Sequence, residues 1–179
     1  MTNPPSPQEI ARNARNSYEA GNYSQAANLF EAASTSLRTA GDMLGSAEMD
    51  NNRSVALLKA GNAQAALSVS QGTENLFSRA GDLQRQAMAL GNQAAALEAL
   101  GKFKEALEFY QQSADLLKQN GDYELRSYVL KNLSVLQLKM GKQFEAMATM
   151  DAALDSQKKL SLRERILKKL LKVPFRMLH

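Results

Sequence analysis

The sequence predicts an all-α solenoid of antiparallel helix pairs, and three observations predict it. Seven of the ten glycines, Gly21, Gly41, Gly61, Gly81, Gly101, Gly121 and Gly141, stand on one twenty-residue grid. The four prolines, Pro4, Pro5, Pro7 and Pro174, lie near the ends, so the strongest helix breaker is missing from Gln8 to Val173. The chain also superposes on itself at a shift of forty residues, two grid intervals, because alternate glycines keep different company.

The first helix starts near Pro7, where Ser6 caps free backbone N–H groups, Pro7 suits the first turn and Glu9 reaches back. Each grid glycine ends a run of helix-forming residues, and Asp or Asn follows it at five of seven places. Glycine accepts the left-handed conformation that stops a helix, and the next residue caps its successor. The glycines are corners between helices of about four to five turns, and such tight turns force antiparallel neighbours.

Within each forty-residue unit, certain positions stay small: Ala14, Ser54, Ala94 and Ser134 in the first helix, Ala26, Ala66, Ala106 and Ala146 in the second. Farther along the second helix, Phe30, Ser70, Tyr110 and Met150 form a mostly large column, followed by Ala33, Thr73, Ser113 and Ala153. Small residues let backbones approach and the large one fills the space between. Two helices cannot bury their apolar faces alone, so the units must stack. The expected organisation is an extension over 1–6, four units at about 7–41, 42–81, 82–121 and 122–160, and a tail over 161–179. In the second unit Ser70 replaces the large residue and Gly72 sits inside the helix, which should therefore be the weakest or most bent, with Phe77 filling some of the space.

The stretch LGKFKEALEFYQQSADLLKQNGD, with Gly101, Phe103, Ala106, Tyr110 and the closing Gly121-Asp122, resembles a tetratricopeptide repeat. The forty-residue period and Leu90-Gly91-Asn92 resemble the longer subclass of cell-polarity adaptors with Leu-Gly-Asn repeats and, more loosely, kinesin light chains. The resemblance covers about residues 7–160. It implies a right-handed α-solenoid of four such repeats with a C-terminal capping helix, acting as a protein-binding adaptor.

Composition narrows the chemistry. With 44% hydrophobic and 22% charged residues the chain is ordinary globular material. No cysteine is present, which removes disulfides, thiolates and Cys-ligated zinc and fits a reducing, cytoplasmic setting. The sole histidine is His179, at the end, so no His-based triad or metal cluster can form around it. Carboxylates such as Glu105 and Glu108 sit beside basic residues at helical spacing and read as solvated faces. The glycines build no phosphate loop. The sequence predicts no enzyme, no metal and no cofactor.

The candidate binding surface is the column nine residues before alternate glycines, where Asn52, Asn92 and Asn132 stand, with Arg12 in the first unit. The resemblance places this column on the concave surface, where such asparagines hydrogen-bond the backbone of an extended peptide. An amide offers donor and acceptor together, so a ladder of amides can grip a main chain whatever its side chains. The same amides could instead tie helices together. Asn51, Lys131, Arg15, Val55, Ala95, Leu58, Glu98, Val135 and Leu138 complete the expected groove. Its apolar members ask for a cover, either a partner segment or the chain's own tail.

The tail, LSLRERILKKLLKVPFRMLH, changes character. Residues 1–155 hold 14 Lys/Arg against 17 Asp/Glu, a net −3, whereas residues 156–179 hold 8 against 1, a net +7. Leu162, Ile166 and Leu170 recur at helical spacing among Arg163, Arg165, Lys168, Lys169 and Lys172, a basic amphipathic helix. It could cap the solenoid, fill a groove in self-association, or lie on an anionic membrane as a peripheral anchor. Nucleic-acid binding fits the charge but not the acidic body or the lack of interleaved aromatics.

Overall fold

The computed structural model describes residues 5–157 and 159–171, and among these residues every regular element is helical. The helices are α1 (Pro7–Glu19), α2 (Tyr23–Thr39), α3 (Met43–Lys59), α4 (Ala63–Ser70), α5 (Thr73–Arg79), α6 (Leu83–Ala99), α7 (Phe103–Asn120), α8 (Tyr123–Lys139), α9 (Gln143–Asp155) and α10 (Leu162–Leu171). Consecutive helices pack on one another except at the α4–α5 break, where both pack on α3 and α6, and α6 also meets α3, so the pairs stack into an α-solenoid.

The grid glycines are its corners: all seven adopt positive φ, from 71° to 84°. At that dihedral any other L-residue is strained, which explains the schedule on which glycine returns. The residue that follows caps the next helix where it has the chemistry: Asp42, Asn62, Asp82 and Asp122 accept from the backbone N–H three residues on. Asn22 makes no such bond, and Lys102 and Lys142 cannot. Ser6 and Glu9 form the expected reciprocal box at α1.

The small columns are buried throughout, and their serines do more than leave room. Ser54 Oγ donates to the Ala66 carbonyl at 2.7 Å and Ser134 Oγ to the Ala146 carbonyl at 2.8 Å, each tying the two helices of one repeat. Ser113 Oγ and Ser127 Oγ reach the Ala87 and Ala153 carbonyls, both at 2.7 Å. A buried hydroxyl needs a partner, and a second acceptor site on a helical carbonyl supplies one.

The second repeat is broken rather than bent. Gln71 leaves helical geometry at ψ 130° and Gly72 is left-handed at φ 85°, which divides the expected helix into α4 and α5. A buried polar joint holds the break. The Thr73 hydroxyl lies 2.7 Å from the Ser70 carbonyl and 3.0 Å from the Asn51 amide oxygen. From the third repeat, Gln93 Nε2 donates to the same Ser70 carbonyl at 3.0 Å and to Glu74 at 2.6 Å. Phe77 fills the space beside the break; it is 0% exposed, packs with Ala47 and Ala89, and carries the Arg85 guanidinium 5.1 Å from its ring centre.

Helix α10 starts one residue short of the next forty-residue step after α3, α6 and α8, where a fifth first helix would stand. It does not nest as those do. Lys169 falls in the register of buried Met49, Ala89 and Val129, and Leu167 in that of buried Ala47, Ala87 and Ser127. A cation and a bulky leucine cannot enter those places, so a different face meets the body. Glu164 bonds Lys131 at 3.0 Å and Gln157 at 3.1 Å, Lys168 pairs with Asp155, and Leu171 is buried. The expected cap over the last apolar face is thus a polar attachment: Leu162, Ile166 and Leu170 stay 74%, 51% and 60% exposed.

Candidate functional site

The first helices α1, α3, α6 and α8 present one face, and the asparagine column lies on it, half-buried at Asn52, Asn92 and Asn132. Among the described residues none of these three side chains makes an intramolecular hydrogen bond, although neighbouring Ser54, Gln93 and Ser134 all do. None of their amide atoms is among the buried side-chain atoms left without a partner, so they keep access to solvent.

Two apolar hollows open beside the column at equivalent register, eighty residues apart. The first, of ≈ 280 Å³, is lined by Arg15, Tyr18, Glu19, Phe30, Asn52 and Val55. The second, of ≈ 140 Å³, lies between α6 and α8, where Met88, Gly91, Asn92, Ala95, Tyr128 and Asn132 surround Tyr110. Each is floored by the second-helix aromatic and edged by the asparagine of the next repeat. Between them Ser70 stands where the aromatic would be, at the end of α4.

Most expected groove residues occupy this face. Arg15, Val55 and Ala95 line the hollows; Arg12 is exposed; Leu58 is half-buried; Val135 and Leu138 are 46% and 53% exposed. Three are committed to other bonds. Asn51 is buried and holds Thr73 in the polar joint, correcting the expectation that it faces the groove. Lying one residue before the ladder turns it by about 100° around the helix. Lys131 pairs with Glu164, and Glu98 accepts from Tyr110 Oη at 3.2 Å and from Lys139 at 2.7 Å, bridging the third and fourth repeats. Burial, and then the Glu98 charge, push the Tyr110 phenol above its ordinary pKa, so it stays a donor.

Sequence reasoning missed Met88 and Tyr128, which sit four residues before Asn92 and Asn132 and are 44% and 65% exposed. The i, i+4 rule would have found them. In the tail, Arg163, Arg165 and Lys169 are exposed and Lys168 is paired; Lys172 lies outside the described residues. Up to Leu171 the tail packs on α9 and reaches α8 through the Glu164–Lys131 ion pair.

The described residues hold no group of three or more acidic or histidine side chains placed to bind a metal. Stacked helix pairs with glycine corners and a polar, unspent column define a helical-repeat interaction fold. A family model described as tetratricopeptide repeat matches residues 45–119 and 85–159, and the chain belongs to that family. Repeats of this family are generally protein–protein interaction modules on a scaffold-type, generally non-enzymatic fold. Among solved structures, kinesin light chain nearly identical TPR-like repeats from Podosopora anserina align with a TM-score of 0.55 at 13% identity, over 93% of each chain. That likeness concerns the fold. No curated protein matches the chain. No helix among the described residues is long and apolar enough to cross a membrane.

Proposed function

We propose that the protein is a non-catalytic adaptor that holds an extended segment of a partner protein along its first-helix groove. The observation that carries this reading is the unspent amide column: Asn52, Asn92 and Asn132 make no intramolecular hydrogen bond among the described residues and stand at the edges of two apolar hollows. An extended main chain offers both partners at regular intervals, and its bulky side chains fill hollows of this size. Met88, Tyr128, Val135 and Leu138, too exposed for a solvated surface, gain a cover in the complex.

The test is a selection of displayed random peptides on the full chain, followed by titration of the winners against an Asn52→Ala/Asn92→Ala/Asn132→Ala variant. Three lost hydrogen bonds of about 1 kcal/mol each predict a weakening on the order of a hundredfold. Unchanged affinities in a folded variant rule the ladder out as the gripping element.

A further inference from the structure

The three residues by which α10 meets the body, Glu164, Lys168 and Leu171, lie on one side of the helix. At about 100° per residue, Leu162, Ile166, Leu170, Arg163, Arg165 and Lys169 occupy the remaining arc. That outward arc has a definite composition. Its aliphatic residues are the exposed stripe already described, and Arg163, Arg165 and Lys169 are exposed and enter no ion pair among the described residues. The helix's one acid, Glu164, is turned inward and met by Lys131. The outward side therefore shows apolar and cationic groups with no carboxylate.

We propose that this face of α10 docks on an anionic lipid surface, the helix lying flat with Leu162, Ile166 and Leu170 inserted and the three cations among the headgroups. Charge complementarity selects an anionic partner, and shape selects a membrane over an acidic protein. Among the described residues the hollow along the stripe is lined by Leu160, Leu162, Arg165, Ile166, Lys168 and Lys169, so no second element among them supplies an opposing wall. A lone convex helix suits a fluid interface, which forms its own wall around inserted side chains. The sequence beyond Leu171 continues with Lys172 and Arg176, of the same sign. The polar attachment of α10 leaves the stripe available while the solenoid stays folded, so docking needs no unfolding.

Sedimentation of the full chain with phosphatidylcholine vesicles containing roughly one third phosphatidylserine tests this. We expect pelleting with these vesicles, and binding at least tenfold weaker to pure phosphatidylcholine or at about 0.5 M salt. Arg165→Gln/Lys169→Gln should weaken binding about thirtyfold, from the contribution of each cation near such a surface. Leu162→Ser/Ile166→Ser/Leu170→Ser, at exposed positions that leave the helical signal and unfolding midpoint in place, should abolish it. The triple asparagine variant should bind vesicles like the parent, which keeps this result separate from the groove. No pelleting, equal binding to neutral vesicles, or retention by the serine variant overturns the proposal. So does concentration-dependent dimerisation lost in the serine variant while vesicles are ignored, since the face would then belong to a second copy.

Discussion

Gln93 Nε2 donates to the Ser70 carbonyl at 3.0 Å, so a side chain of the third repeat terminates a helix of the second. The last carbonyls of a helix lack partners within it, and burial forbids water from serving them. Gln93 is itself buried and spends its amide here and on Glu74. Gln93→Leu should therefore cost about 1–3 kcal/mol in urea unfolding, through acceptors left short of donors. A neutral substitution would show that Thr73 alone suffices.

Gly72 gives a prediction of sign. A glycine merely tolerated inside a helix is improved by alanine, by about 1 kcal/mol. At φ 85° alanine is strained instead, so Gly72→Ala should destabilise by about 1–2 kcal/mol. Comparing denaturation midpoints of the two proteins decides between a device and a defect.

Phe77 is the largest fully buried side chain of the broken repeat, so truncating it leaves a cavity. Phe77→Ala should cost about 3–5 kcal/mol. Calorimetry should show a lower transition, and Arg85, deprived of its ring, should gain mobility in side-chain relaxation measurements.

The attachment of α10 depends on pH through Glu164, whose carboxyl is held at about 2 by the Ser161 backbone N–H, then by Lys131, the Ser161 hydroxyl and Gln157. A folded pKa below the unfolded value means that this stabilisation is complete above about pH 4.5. It fades as the pH falls from there toward 2. Carboxyl chemical shifts followed through that window should give the low midpoint, and amide exchange in α10 should rise in step. Glu164→Gln should remove the dependence.

Much of the fold was legible because local chemistry sets it. The glycine grid, the Ser6–Glu9 box and the aspartate caps each need only a few neighbouring residues, and each stands where the sequence put it. Gly72 announced trouble in its helix, but the partners that made the break stable were unreadable, since Asn51 and Gln93 arrive from 22 and 23 residues away. The asparagine column was found by register, whereas its neighbours were drawn from i−1 instead of i−4, which gained Asn51 and lost Met88 and Tyr128. The stripe of α10 was visible as a pattern. Which way it faced was not, because that follows from the reach of Lys131 to Glu164.

An apolar seam tolerates sliding, since one methyl can replace another against a neighbour. The joint around Gly72 has no such latitude, for Gln93 finds the Ser70 carbonyl and Glu74 in one alignment only. Repeats two and three are therefore indexed to each other, like teeth cut for a single position. Duplicating a forty-residue unit at either end lengthens the array without disturbing this match, whereas inserting one between Gly81 and Gln93 separates the mated pair. Growth of such a protein by repeat duplication is channelled to its flanks, with the second and third repeats inherited as a block.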